Sequence, residues 1–136
     1  MYKNYKEMRE THQKEMNEFP LMFAFGEKQF TEMLEKNNVK SNELVSIGYG
    51  GYVRKTDKEK FLELLDRHAR EELEFASDFD NLVDMLVYEL RNHEYGYTLD
   101  VLDTVDGLRK DITELPIFDE ALAKAARIVK DEEGIV

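Results

Sequence analysis

Phe79-Asp-Asn-Leu-Val-Asp-Met-Leu-Val-Tyr-Glu-Leu-Arg-Asn-His-Glu-Tyr-Gly-Tyr-Thr-Leu-Asp-Val-Leu-Asp-Thr-Val-Asp106 contains the longest apolar helix pattern of the chain. At about 100° per residue, Phe79, Leu82, Val83, Leu86 and Leu90 fall on one stripe, which predicts an amphipathic helix. His93 continues that stripe, with Glu89 at its edge one turn earlier. Asp80, Asp84 and Arg91 point away from it. Ser77 or Asp78 suits the helix start, because either side chain accepts a free backbone N–H. Gly96 suits its end, because glycine enters the left-handed region without a Cβ clash.

Outward from this helix, the chain reads as mostly helical. Thr56-Asp-Lys-Glu59 has the spacing of a capping box and opens a helix running to about Ala76. Its inward face is Phe61, Leu64, Leu65, His68, Glu72 and Phe75. A very short turn joins it to the Phe79 helix, so the pair should form a central antiparallel hairpin touching along Leu65, Leu86 and Leu90.

Tyr2, Tyr5, Met8 and His12 mark an opening helix. Glu27 to Asn38 forms another, with Phe30, Met33 and Leu34 inward, and Ser41–Val45 adds a helical turn. Ile117 to about Glu133 is the last, with Leu122, Ala125, Ala126 and Val129 inward. A short acidic helix falls between Thr98 and Gly107. Leu21–Phe25, bounded by Pro20 and Gly26, reads as a strand, and Ile47–Val53 reads as a strand or hairpin pairing with it. The expected fold class is α+β: one mostly helical domain, residues 1–136, with a small antiparallel sheet. Met16 is an alternative start, so residues 1–15 can be read as an N-terminal helical extension.

Composition excludes several function classes. There is no cysteine among the 136 residues, which removes disulfides and thiolate metal sites. No apolar run reaches transmembrane length and no signal-peptide pattern opens the chain, so the expected compartment is cytoplasmic. The net charge is −11. From Glu71 to Asp106 there are eleven acids and one base, Arg91, a net of −10. The other residues carry nineteen acids and eighteen bases. Such a field repels nucleic acid and membrane surfaces and attracts cations or basic proteins.

Two kinds of site follow. The outward acids Asp80, Asp84, Asp100, Asp103 and Asp106 make a candidate docking surface for a basic protein. His68, Glu89 and His93 make a candidate metal set, because two imidazoles and a carboxylate suit zinc or a similar divalent ion. Their spacing matches no zinc signature, and intrahelical Glu–His contacts explain the same residues. His93-Glu94 beside Tyr95 and Tyr97 has the elements of an acid–base pair, without a nucleophile or oxyanion hole. Gly48-Tyr-Gly-Gly51 lacks the Gly-Lys-Ser/Thr of a phosphate loop and reads as a turn.

Asn17-Glu-Phe-Pro-Leu-Met-Phe-Ala-Phe-Gly-Glu-Lys-Gln-Phe30 and Tyr88-Glu-Leu-Arg-Asn-His-Glu-Tyr-Gly-Tyr-Thr-Leu-Asp100 resemble an uncharacterised family of small acidic proteins of phages and mobile elements of Gram-positive bacteria. The resemblance runs from about Met16 to the C-terminus. It implies an accessory role and brings no catalytic residue. The leading expectation is a non-enzymatic interaction protein that binds a basic partner, with nucleic-acid mimicry as one form of that binding, and needs no cofactor. The alternative is a metal-binding protein or metal-dependent hydrolase using His68, Glu89 and His93.

Overall fold

A computed structural model describes residues 2–134. In chain order the elements are α1 (Tyr5–Glu18), β1 (Met22–Phe23), α2 (Glu27–Asn37), β2 (Leu44–Gly48), β3 (Gly51–Arg54), α3 (Lys58–Ala76), α4 (Phe79–Asn92), α5 (Tyr95–Thr98), α6 (Leu102–Asp106), α7 (Lys110–Thr113) and α8 (Phe118–Glu132). This is a mostly helical α+β fold with one small antiparallel sheet. Two compact units divide it: residues 2–11 with 69–134, and His12–His68. The division falls inside α1 and inside α3.

The first unit is built on α4. Leu82, Leu86 and Leu90 are fully buried, and Val83, Met85 and Val87 are nearly so. The buried face is therefore wider than the stripe alone predicts. The largest helix contact in this unit is between α4 and α8. Ala121 and Ala125 of α8 have no exposed surface, and their small side chains let the two backbones approach closely. Tyr5, Met8, Phe75, Tyr95, Ile112 and Phe118 complete the same core. Residues 2–15, which the sequence allows as an extension, thus give Tyr5 and Met8 to it.

Both ends of α4 are fixed locally. Asp78 is the N-cap, its carboxylate accepting the Asn81 backbone N–H at 3.0 Å. At the other end, Glu94 takes the left-handed conformation at φ 56°, in place of the expected Gly96. Gly96 lies within α5, and its reason is steric. A Cβ there would sit 2.5 Å from Glu133 Cγ, so any other residue would push that side chain aside.

In the second unit, β3 lies between β1 and β2, antiparallel to both. Met22 pairs with Tyr52, and Val45 with Val53. The expected hairpin turn is present. Gly48, Tyr49 and Gly50 all have positive φ, and a Cβ on Gly50 would meet the Phe25 ring at 2.5 Å. Ser41–Glu43 is a 3-10 turn, but Leu44 and Val45 belong to β2 rather than to a helical turn. Met22, Ala24, Met33 and Leu44 form this unit's small core. Helix α2 ends at Asn38, which takes φ 53° and donates its N–H to Glu35 and Leu34 carbonyls.

Helix α3 begins at Lys58, after a 3-10 turn over Lys55–Asp57 that contains Thr56. Thr56 is therefore inside a turn and not at a helix cap. Phe61, His68 and Phe75 are buried as expected, but Leu65 is 40 % exposed, since it sits at the edge of the stripe that they define.

Leu86 and Leu65 thus make contrasting tests. Leu86→Ala should destabilise the protein by about 2–5 kcal/mol, the range for a buried leucine that leaves a cavity. Leu65→Ala should cost less than about 0.5 kcal/mol. Urea denaturation of both variants checks the assignment, and similar costs would mean the inward faces are misassigned.

Candidate functional site

The five candidate aspartates come from two helices and the loop before the second. Asp80 and Asp84 are one turn apart on α4, Asp103 and Asp106 nearly so on α6, and Asp100 precedes α6. All five are exposed. Their local roles differ. Asp84 accepts the backbone N–H of Tyr5 at 2.7 Å, so it satisfies a free donor at the start of α1. Asp100 accepts the Leu102 N–H at 2.9 Å and shapes the entry to α6. Asp80, Asp103 and Asp106 meet no cation among the described residues.

Apolar groups are exposed beside these acids in the chain. Tyr97 is 90 % exposed, Leu102 62 % and Leu99 48 %. Leu99 also holds φ 58°, a conformation costly for a branched side chain. The sequence signals none of this exposure. A tyrosine and two leucines in a short helical stretch look the same whether they face a core or water.

The structure brings Glu89 and His93 together, with His93 Nε2 3.8 Å from Glu89 Oε2, which is beyond hydrogen-bond distance. The closer partners of Glu89 come from α1. The Tyr5 hydroxyl donates to Glu89 Oε1 at 2.9 Å, and Arg9 Nη1 donates to the same oxygen at 3.1 Å. Arg9 also lies over the Tyr88 ring, 5.1 Å from its centroid. Burial pushes the Tyr5 phenol pKa up, so the hydroxyl keeps its proton and remains a donor. The Arg9 pKa is raised, first by its hydrogen bond to Tyr5 and against the effect of its own burial.

A cleft of about 200 Å³ runs beside this group, lined in part by Glu72, Glu89, Arg9 and Arg109. Arg109 is fully engaged there. It donates to Glu72 at 2.6 Å, to the Ala69 carbonyl at 2.8 Å and to both oxygens of Asp111. The cleft therefore holds matched charges, and each cation in it already has a carboxylate.

His68 belongs to the other unit. Its ring stacks on His12 with centroids 3.9 Å apart, and its Nε2 lies 3.2 Å from Glu15 Oε1. Arg67 also donates to Glu15. Among the described residues no three of His, Asp or Glu gather as a group that could hold a metal ion. No described helix is long and apolar enough to cross a membrane.

A mostly helical α+β protein with an exposed acidic and aromatic segment is the class that these observations define. Residues 4–131 match a family of unknown function, DUF7659, and the chain belongs to it. The match begins twelve residues before Met16 and takes in α1. No curated protein and no solved structure matches the chain.

Glu15 gives this geometry a pH dependence. Burial raises its carboxyl pKa, but the hydrogen bonds and charges of Arg67 and His68 outweigh that and hold it below the ordinary value of 4.5. A depressed folded-state pKa adds stability above the unfolded value, and that stability is lost as pH falls through the folded value. Glu15→Gln should therefore destabilise the protein at neutral pH. The gap between wild type and variant should shrink steadily below pH 4.5. Denaturation curves across that range check it. A gap that does not change with pH would mean that Glu15 acts only through packing.

Proposed function

We propose that this protein is a non-enzymatic interaction protein whose acidic segment docks a basic protein partner. The observation that supports it best is the chemistry of residues 94–106. Glu94, Asp100, Asp103 and Asp106 are exposed there together with Tyr97, Leu99 and Leu102. Exposed apolar side chains grouped within a polar rim mark interaction sites. Docking surfaces combine them, because aromatic and aliphatic anchors supply burial while charge steers the encounter.

The stability argument points the same way. Asp103 and Asp106, three residues apart on α6, repel one another, and no described cation offsets them or Asp80. A cationic surface on a partner would. Such a partner includes the nucleic-acid site of another protein, where the aspartates would stand in for phosphates. On this reading the protein acts in the cytoplasm without a cofactor. The further setting we propose, accessory to phages or mobile elements of Gram-positive bacteria, rests on the resemblance of Asn17–Phe30 and Tyr88–Asp100.

The test uses Asp103→Lys with Asp106→Lys. Asp84 is left alone because it holds the Tyr5 N–H, so reversing it would disturb the fold. Wild-type protein should retain a basic protein from an extract of the source cells at low salt. With that protein purified, association should slow steeply as salt rises, and the double variant should lose affinity mainly through the on-rate. Its stability should be unchanged or slightly higher. Retention of no basic protein, or binding that ignores the double reversal, would overturn the proposal.

A further inference from the structure

The first unit has a groove of about 480 Å³ next to the exposed tyrosine, lined by Arg91, Glu94, Gly96, Tyr97, Val129 and Glu133. Val129 borders it at 1 % exposure, and the Glu133 side chain lies over Gly96. Its exposed lining side chains are Arg91, Glu94, Tyr97 and Glu133. Glu94 and Glu133 have no cation partner among the described residues. Arg91 is neutralised by both oxygens of Glu132, which also raises its pKa. The Tyr97 ring stands at the mouth, 90 % exposed. The absence of a Cβ at Gly96 is what lets Glu133 lie there, since a Cβ would come within 2.5 Å of its Cγ.

We infer that this groove is the anchoring pocket for one arginine side chain of the basic partner, an inference that rests on the docking role proposed above. The planar guanidinium suits an exposed aromatic face and two carboxylates that can accept its forked N–H donors. Lysine would satisfy the charge but not the fork or the stacking. Charge complementarity thus selects a cationic occupant, and the tyrosine selects arginine among the cations.

Three synthetic peptides serve as probes: Lys-Lys-Arg-Lys-Lys, and the same peptide with citrulline or with lysine in place of arginine. Citrulline keeps the shape and removes the charge. NMR titration of the labelled full chain should show the arginine peptide shifting the Gly96, Tyr97 and Glu133 amides. It should bind roughly tenfold more tightly than the citrulline peptide, the factor of one good charge-assisted contact. Tyr97→Ala, and separately Glu94→Gln with Glu133→Gln, should abolish that preference and leave the melting temperature unchanged. Three results would overturn the pocket. One is equal binding of both peptides with shifts confined to Asp80–Asp106, which would leave the acidic docking surface standing. Another is groove shifts that are the same when arginine is replaced by lysine. The last is no binding of either peptide, which would remove the docking surface as well.

Discussion

A helix of fourteen residues such as α4 is marginal by itself in water, since few of its hydrogen bonds repay the ordering of its first turn. Its apolar face is what makes it stable. Leu82, Leu86 and Leu90 are wholly removed from solvent, and each buried leucine contributes about 1.5–3 kcal/mol of transfer free energy. The core of the first unit is arranged to provide that burial. Ala121 and Ala125 bring α8 close, and Tyr5, Met8 and Phe118 fill the space around it. The short helices α5, α6 and α7 are too brief to stand alone. Tyr95, Thr104 and Ile112, only 4 %, 1 % and 2 % exposed, tie each of them down.

One position on that face breaks the pattern. Glu89 is 8 % exposed, and a buried carboxylate without partners would cost several kcal/mol. Tyr5 and Arg9 supply those partners, both from α1. Removing either would leave the charge partly unmet, which is worse than having no charge there at all. The buried glutamate therefore specifies which surface of α1 lies against α4. Asp84 reinforces this register one turn away by accepting the Tyr5 N–H.

The legible features of the fold were the periodic ones. The α4 stripe, the Glu27 helix and the Leu21 strand are written in apolar spacing, and burial enforces that spacing directly. The features that were not legible depend on non-local contact. Gly96 looks like a conformational glycine, but what it avoids is a clash with Glu133, thirty-seven residues away. Nothing near Glu89 in the sequence names Tyr5 or Arg9, because they lie more than seventy residues away. Of the two candidate sites, the acidic segment was visible because charge is a property of composition. The exposed Tyr97, Leu99 and Leu102 were not, because exposure is a property of packing.

The acids of the Glu71–Asp106 block divide by what they hold. Asp78, Asp84 and Asp100 accept backbone N–H groups, and Glu72 and Glu89 each meet an arginine. These have structural work, and the fold explains them. Glu94, Asp80, Asp103 and Asp106 hold nothing among the described residues. Asp80 and Asp103 lie in first helical turns, which the helix dipole favours slightly, but none of the four gains a cation from the fold. Solubility alone would be served by acids spread over the whole surface. The rest of the chain is instead nearly balanced, with nineteen acids and eighteen bases. Net negative charge is thus concentrated in the block where Tyr97, Leu99 and Leu102 also face water. That coincidence of an electrostatic and a hydrophobic cost in one segment is the physical ground for reading it as a surface that a partner covers.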